Sequence, residues 1–254
     1  MLSNSQLKLL TALQVKKYRQ KYRKFTLEGD KLVAELLAQQ RIGVSAIFGL
    51  ERWAAENAAL LEPFLQIFNP VSESELKKAS ALSTPNRVLA VAGIPEASFS
   101  DDLLRGQRCF FLDGLQDPGN LGTILRIADW FGMPAVFCSP DCVDAYSPKV
   151  VQASMGAILR IPVFEAELAT LKIRVPELPL AGAVLDGEDV FEAALPPNGL
   201  LAIGNEGRGL RPEAEALLDR RLAIPRAPGG RAESLNAAVA AGIFATVWQQ
   251  KTGD

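Results

Sequence analysis

Apolar residues follow two spacings in the first third of the chain. From Ser3 to Lys17 and from Asp30 to Gln39 they recur every three or four positions, which predicts two amphipathic helices. Short apolar runs at Val44–Phe48, Leu65–Phe68 and Arg87–Val91 predict strands. We therefore expect a small α/β unit at the N-terminus.

The remainder of the chain alternates strand and helix patterns more plainly. Strands are predicted at Arg108–Asp113, Ala135–Cys138, Ile161–Phe164, Leu180–Ala183, Gly199–Ile203 and Leu222–Ile224. Helices are predicted at Leu121–Trp130, at Lys149–Ala157, from Pro212 onward and at Ser234–Gln250. This alternation predicts an α/β fold with a mostly parallel sheet covered by helices on both faces. Ligands of such sheets bind in the loops beyond the carboxyl ends of the strands.

A change of composition separates the two units. From Ala92 to Gly106 the chain loses strand character and carries Gly, Pro, Ser and Asp. We predict an N-terminal domain over residues 1–95, a linker over 96–106 and a C-terminal domain over 107–254. Within the first domain, Ser72 and Glu75 have the spacing of a capping box that opens a helix.

The composition is that of a globular protein, with 48% apolar residues. No apolar run reaches the roughly 18–20 residues of a membrane span, and the N-terminus lacks the apolar core of a secretion signal. Three cysteines form a sparse, odd set that is typical of reduced thiols. We expect a cytoplasmic protein with no membrane partner.

The chain contains no histidine, which excludes several kinds of active site. A Ser-His-Asp triad, a Cys-His pair and an HExxH zinc site all need imidazole. Cys109, Cys138 and Cys142 give three ligands at most, so we predict no metal and interpret them as buried or idle thiols. Catalysis would rest on carboxylates, Arg, Lys, Ser, Asn and main-chain groups, or on a cofactor.

Positive charge is concentrated near the N-terminus, although the formal net charge is −2. Six cations surround Tyr18 and Tyr22, namely Lys16, Lys17, Arg19, Lys21, Arg23 and Lys24, and no acidic residue occurs before Glu28. Cations contact phosphates and aromatic faces accept bases or Arg, so this segment predicts contact with a nucleic acid. The alternative is a solvated helix end with snorkelling lysines.

Three polar, glycine-rich loops each follow a predicted strand and precede a helix. They lie within Leu112–Arg126, Leu201–Leu210 and Ile224–Asn236. None has the P-loop spacing, and GxxGxG from Gly204 to Gly209 reverses the dinucleotide fingerprint. The pattern favours an adenine-containing ligand held through main-chain groups at one end of the sheet.

Taken together, these loops resemble the three ordered motifs of the SpoU (TrmH) family. The motifs read DPGNLGTILRIADWFG (Asp117–Gly132), IGNEGRGL (Ile203–Leu210) and IPRAPGGRAESLNAAVAAGI (Ile224–Ile243). Members of that family transfer a methyl group from S-adenosylmethionine to a ribose 2′-hydroxyl of RNA. The segment from Lys17 to Leu37 also resembles the small ribosomal-protein-like RNA-binding domain that often precedes the catalytic one.

The resemblance implies a trefoil knot in the C-terminal domain and a homodimer with the active site near the subunit boundary. It also implies that S-adenosylmethionine is held largely by main chain at Ile203, Gly204, Asn205, Gly207, Ile224, Pro225 and Leu235. The implied catalytic cluster is Asn120, Arg126, Glu206, Ser234 and Asn236. The third loop departs from the family pattern, because Arg226 follows Pro225 and two extra residues precede Ser234.

Methyl transfer from a sulfonium to an alcohol requires positioning and the management of one proton. An Arg side chain is too basic to abstract that proton at neutral pH. We therefore expect Arg126 to orient ribose and phosphate and to stabilise negative charge, with Glu206 or an RNA phosphate as proton acceptor. The structural alternatives are a salt bridge from Arg126 to Asp113 or Asp129, and helix capping by Asn120 and Ser234.

Two other functions stay open on sequence. The first is an RNA-binding protein that keeps the fold without the activity, and the second is base methylation on a related knotted fold. The intact set of polar motif residues favours a ribose methyltransferase over the first. The sequence does not distinguish ribosomal from transfer RNA as substrate.

Overall fold

The computed structural model describes residues 2–82, 84, 86–96 and 98–252. Two compact units are present. The first comprises the described residues up to Glu96 together with Tyr146–Leu159, and the second comprises the other described residues.

The N-terminal unit is built on a four-stranded mixed sheet. Its strands are β1 (Lys24–Glu28), β2 (Val44–Gly49), β3 (Phe68–Pro70) and β4 (Val88–Gly93). Its helices before residue 96 are α1 (Asn4–Leu13), α2 (Lys16–Tyr22), α3 (Asp30–Gln39), α4 (Glu51–Glu56), α5 (Ala58–Leu61) and α6 (Glu73–Ala79). The strand order is β1-β4-β2-β3, antiparallel except for the β2–β3 pair.

Two predictions in this unit need correction, and one strand has no prediction. The predicted helix from Ser3 to Lys17 is broken, because Val15 is extended between α1 and α2. The predicted strand at Leu65–Phe68 is displaced: a 3-10 helix runs over Glu62–Ile67, where Leu65 is exposed, and strand β3 begins only at Phe68. Strand β1 was not predicted, because it begins inside the run of cations. The predicted capping box is confirmed, since Ser72 caps α6 together with Glu75.

The C-terminal unit contains a six-stranded parallel sheet. Its strands are β5 (Arg108–Asp113), β6 (Val136–Cys138), β7 (Val163–Glu165), β8 (Leu180–Asp189), β9 (Gly199–Gly204) and β10 (Arg220–Ala223). The helices beyond residue 96 are α7 (Asp101–Gly106), α8 (Pro118–Trp130), α9 (Pro148–Ala153), α10 (Leu168–Arg174), α11 (Pro212–Glu215) and α12 (Ala237–Thr252). The strand order is β10-β8-β9-β5-β6-β7 and every pair is parallel, which confirms the predicted sheet.

Strand β5 lies at the centre of this sheet and is buried on both faces. Cys109 and Phe111 belong to one core cluster, while Phe110 and Leu112 alternate with them and are also fully buried. This is the continuous apolar pattern of a strand covered by helices on both sides. None of the described helices is long and apolar enough to cross a membrane.

Two segments are organised differently from the prediction. The stretch predicted as a linker contains α7, whose Leu104 is buried in the core of the C-terminal unit. Helix α9 follows Tyr146 and belongs to the N-terminal unit, where it packs against β1. The ring centroids of Tyr146 and of Phe25 in β1 are 4.9 Å apart. Local sequence patterns do not report such long-range packing.

Candidate active site

The three predicted loops leave the same edge of the parallel sheet. Asp113 at the end of β5 pairs in register with Gly204 at the end of β9, so the first two loops begin side by side. A cavity of about 510 Å³ opens there between the second loop, the end of β8 and the start of α12. This volume is within the range of small-molecule sites.

Most of the predicted cofactor positions line this cavity. They are Ile203, Gly204, Asn205, Gly207, Ile224 and Leu235, whereas Pro225 is not part of the lining. Glu206 and Ser234, predicted as catalytic, also line it. The sequence reasoning missed Leu185 and Asp186 of β8 and Phe244 of α12, which complete the walls. No motif marks them, because their place depends on β8 pairing between β9 and β10.

Asn205 folds the second loop into a tight turn. Its main chain exchanges two hydrogen bonds of 2.9 Å with Gly209. Its side-chain oxygen accepts hydrogen bonds from the amides of Gly207 and Arg208 at 3.0 and 3.2 Å. Its side-chain nitrogen donates to the carbonyl of Gly114 in the first loop at 2.8 Å. Asn205 therefore shapes its own loop and ties it to the first one.

Position 204 must be glycine because the main chain of Gly209 and Leu210 packs directly against it. A Cβ at this position would lie 2.1 Å from the carbonyl carbon of Gly209 and 2.3 Å from the amide nitrogen of Leu210. Both distances are far below a van der Waals contact, and both neighbours are backbone atoms that cannot rotate away. The absence of a side chain at Gly204 thus permits the turn itself.

Asn120 joins the three predicted motifs. Its side-chain nitrogen donates to Oε1 of Glu206 at 3.0 Å, and its side-chain oxygen accepts a 2.8 Å hydrogen bond from Asn236. Asn120 is buried, and both ends of its amide are satisfied by these partners. The helix cap of α8 is Asp117, whose side chain accepts from the amide of Asn120. Asn120 is therefore not the N-cap, and its side chain is free to bind Glu206 and Asn236.

Glu206 receives donors from the first loop on both carboxylate oxygens. The amides of Asp117 and Gln116 donate to it at 3.1 and 3.3 Å, in addition to Asn120. Burial acts to raise the pKa of Glu206, but these donors outweigh it and hold the pKa below its ordinary value. Glu206 is therefore ionised at neutral pH.

Ser234 does not cap the last helix, contrary to the prediction. Helix α12 begins at Ala237, and the side-chain oxygen of Asn236 accepts from the amides of Ala238 and Val239 at 2.9 and 3.2 Å. Asn236 is thus the N-cap of α12, and its side-chain nitrogen donates a hydrogen bond to the side-chain oxygen of Asn120. Ser234 is exposed on the wall of the cavity.

Arg126 lies apart from the polar cluster. It is exposed on α8, in a groove between α8 and α12 that Trp130 and Val239 also line. The proposed salt bridges are not formed, because Asp113 pairs with Arg211 and Asp129 pairs with Arg160. Within the described part of the chain, no ion pair involves Arg126.

Arg211 holds the segment after the second loop onto the end of β5. Its Nε and Nη2 lie 2.7 and 2.6 Å from Oδ1 of Asp113, and its amide donates to Oδ2 at 2.7 Å. The side chain of Asp113 is completely buried. The hydrogen bond to Asp113 raises the pKa of Arg211. This pair fixes the second loop relative to the first.

The three cysteines are free and buried. Burial raises the pKa of Cys109 to about 12, while a hydrogen bond from Cys138 lowers the pKa of Cys142 to about 7. Among the described residues, no group of three or more His, Cys, Asp or Glu side chains is arranged to hold a metal ion.

The N-terminal cations are not all available to a ligand. Lys16, Lys17, Lys21 and Arg23 are exposed, and Lys24 is half-buried at the start of β1. Arg19 is only 3% exposed and donates to the carbonyl of Leu13 at 2.8 Å, so the structure removes it from the predicted RNA-binding set.

Comparison with known proteins identifies both parts of the chain. Residues 107–246 match the SpoU rRNA Methylase family, and residues 4–90 match the MRM3-like substrate binding domain. The 23S rRNA (guanosine(2553)-2′-O)-methyltransferase of Bacillus subtilis is 32% identical over 247 residues, which cover 95% of this chain and 94% of that protein.

Solved structures superpose on nearly the whole chain. A protein from Porphyromonas gingivalis that is assigned to the TrmH family of RNA methyltransferases has a TM-score of 0.84 at 37% identity, covering 99% of each chain. An AdoMet-bound rRNA methyltransferase from Sinorhizobium meliloti also has a TM-score of 0.84, at 26% identity, covering 98% of this chain and 96% of that one. With the three motifs meeting at Asn120, these matches show that the chain belongs to the SpoU rRNA methylase family.

Proposed function

We propose that this protein transfers a methyl group from S-adenosylmethionine to a ribose 2′-hydroxyl of ribosomal or transfer RNA. The observation that carries the proposal is the hydrogen-bonded chain Glu206–Asn120–Asn236 beside the cavity. This chain of hydrogen bonds joins all three motifs, and a protein that only binds RNA does not require such a polar cluster. The ribose 2′-O activity named for the Bacillus subtilis relative supports the same reaction.

The cavity suits S-adenosylmethionine in both shape and charge. Ile203, Ile224 and Leu235 offer apolar walls for an adenine ring, and the carboxylates of Glu206 and Glu233 face a ligand that carries a positive sulfonium. The six lining positions named above would hold the cofactor. When bound, it supplies the electrophilic methyl group. The AdoMet-bound relative from Sinorhizobium meliloti supports this assignment.

The polar cluster is proposed to receive the ribose. Glu206 is ionised at neutral pH and accepts a hydrogen bond from the 2′-hydroxyl, while Asn120 holds its carboxylate in a fixed orientation. The lowered pKa makes Glu206 a weak base, so polarisation of the hydroxyl is favoured over complete proton removal. An RNA phosphate is the alternative acceptor. Ser234, exposed on the cavity wall, is proposed to contact the substrate.

Arg126 is proposed to bind the RNA backbone next to the target ribose. Its exposed guanidinium has no carboxylate partner in the described residues, so its donors are available to phosphate and ribose oxygens. It would also stabilise negative charge that develops on the attacking oxygen.

A homodimer is proposed on the groove that contains Arg126. Trp130 is 84% exposed there, and the neighbouring Val239 is also exposed on α12, so this face carries apolar surface that a second copy would bury. Dimerisation would place Arg126 at the subunit boundary, as the family resemblance implies. Light scattering of the purified protein and of Trp130→Glu tests this, with a monomeric wild-type protein as the contradicting result.

The N-terminal domain is proposed to bind RNA through Lys16, Lys17, Lys21, Arg23 and Lys24 on and beside α2. The match to a substrate binding domain supports this role. We also propose that the C-terminal domain is knotted and that the protein is cytoplasmic, the latter supported by its buried, free thiols.

The reaction is tested with radiolabelled S-adenosylmethionine and ribosomal and transfer RNA from a strain that lacks the gene. Nucleoside analysis should find the label on a 2′-O-methylated nucleoside, and label on a base would establish base methylation instead. Calorimetry with S-adenosylmethionine separates the non-catalytic alternative, because a protein that only binds RNA should release no heat. Asn120→Ala serves as the control variant with reduced methyl transfer.

A further inference from the structure

Helix α2 presents an exposed aromatic stripe. Tyr18 and Tyr22 are one turn apart, their rings stack with an interplanar angle of 14° and a centroid distance of 6.3 Å, and they are 36% and 42% exposed. Val15, at the N-cap, extends the stripe on the same side and is also exposed. Singly exposed apolar side chains are normal on a protein surface, whereas contiguous ones such as this stripe mark an interaction site.

The stripe rests on a fixed support. Arg19, between the two tyrosines in sequence, points inward and donates to the carbonyl of Leu13 at the end of α1. The buried guanidinium thereby fixes α2 against α1. Because Tyr18 and Tyr22 project from a helix that is held in place, little freedom is lost when a flat ligand binds them.

The surroundings of the stripe are positive. Lys16, Lys17, Lys21 and Arg23 are exposed around it, and Nζ of Lys21 lies 5.5 Å from the ring centroid of Tyr22. The first acidic residue of the chain is Glu28, in a buried strand. Aromatic faces surrounded by cations fit a ligand that combines flat rings with negative charge. A protein partner would need a matching acidic and apolar patch, whereas single-stranded RNA carries both features in every nucleotide.

We propose that Tyr18 and Tyr22 form a stacking site for an unpaired base of the RNA substrate. The inference rests on the proposed function and specifies its substrate class: an RNA with a single-stranded loop, bulge or end within reach of α2. The bases of a duplex are stacked on one another and their faces are not accessible, so the site selects against continuous duplex. The lysines supply phosphate contacts that do not depend on pairing.

The stacking site is tested by RNA binding of the full chain. The probes are a single-stranded oligonucleotide of about 12 nucleotides and a duplex of equal length. Tyr18→Ala/Tyr22→Ala should bind the single strand about 10-fold more weakly or worse, with little change for the duplex. Tyr18→Phe/Tyr22→Phe keeps the stacking faces and should bind like the wild type. Lys17→Ala/Lys21→Ala should weaken both ligands and reduce the salt dependence, which the tyrosine variants should leave unchanged.

Two further measurements separate this site from the catalytic proposal. The alanine variant should raise the KM for RNA and leave kcat and S-adenosylmethionine affinity unchanged, because α2 belongs to a different compact unit from the cavity. Photocrosslinking of wild-type protein to 5-bromouridine RNA should label Tyr18 or Tyr22. Equal losses for single strand and duplex, unchanged binding, or crosslinks only elsewhere would overturn the stacking site while methyl transfer stands. A failure of methyl transfer with the stacking data intact would overturn only the proposed function.

Discussion

The side-chain nitrogen of Asn120 lies 3.0 Å from Oε1 of Glu206, which is 86 positions further along the chain. The same amide accepts a hydrogen bond from Asn236, 116 positions away. A carboxamide is neutral and carries both a donor nitrogen and an acceptor oxygen, so Asn120 can connect a carboxylate to the amide of Asn236 without adding charge. Three motifs that are remote in sequence thus share one buried residue.

Replacement of Asn120 by Asp should break this connection. Asn120→Asp places a carboxylate against Glu206, and we expect methyl transfer to fall about 10- to 100-fold, the scale of a lost hydrogen bond to a charged group. Glu206→Gln alone should also slow methyl transfer, because it removes the proposed acceptor. In the double substitution Asn120→Asp/Glu206→Gln the amide at position 206 can donate to the new carboxylate at position 120, so the combined loss in free energy should be smaller than the sum of the two single losses. Initial rates of the two single variants and the double variant measure the coupling. Purely additive losses would show that the two residues act independently.

Arg126→Ala should separate catalysis from cofactor binding. The residue is outside the cavity, so affinity for S-adenosylmethionine should stay within a few-fold, while methyl transfer falls at least about 100-fold. Arg126→Lys should recover little, because an ammonium cannot reproduce the planar fork that contacts two oxygens. Calorimetry and single-turnover rates give the two quantities. Near-full turnover of the alanine variant would remove Arg126 from the catalytic assignment.

Gly204 and Gly207 of the second loop should differ sharply in their tolerance of a side chain. Gly204→Ala puts a Cβ into the main chain of Gly209 and Leu210, so we expect loss of cofactor binding and a lower melting temperature. Gly207→Ala is the matched control, because its Cβ would meet only the side-chain oxygen of Asn205 at 3.7 Å, an ordinary contact. Calorimetry and thermal unfolding compare them. Equal behaviour of the two variants would contradict the geometry of the turn.

Removal of Arg211 should destabilise the C-terminal unit by leaving Asp113 buried without its partner. For Arg211→Ala we expect a loss of about 3 kcal/mol in the free energy of unfolding. Arg105→Ala breaks an exposed pair with Glu177 and should cost less than about 1 kcal/mol. Urea unfolding followed by circular dichroism measures both. A cost for Arg211→Ala as small as that of the control would mean that water or another donor reaches Asp113.

Stability should depend on pH through Glu206. Its pKa in the folded protein is below its ordinary value of 4.5, so it contributes stability that is complete above about pH 4.5 and is lost as the pH falls through the folded-state pKa. Wild-type protein should therefore lose stability on acidification more steeply than Glu206→Gln. Urea midpoints between about pH 3 and about pH 7 test this. Parallel profiles of the two proteins would contradict the assignment.

The amino-acid sequence by itself determined most of the local elements and the identity of the motif residues. Helix α3 and strand β5 have the predicted bounds, and the capping box at Ser72 forms as expected, because spacing and capping are short-range signals. The strand–helix alternation also predicted the parallel sheet. The run at Leu65 misled the prediction, because an apolar run alone does not show whether it will be buried.

Tertiary structure decided which motif residues meet and which do not. The register of β5 with β9 brings Asn120 to Glu206, and the start of α12 brings Asn236 to Asn120. The same packing buries Arg19 among cations that the sequence does not distinguish, and leaves Arg126 exposed in a groove away from the cavity. Each of these outcomes depends on packing between strands and helices that are far apart in the chain. Such contacts do not affect the local spacing of apolar residues, so the sequence pattern does not predict them.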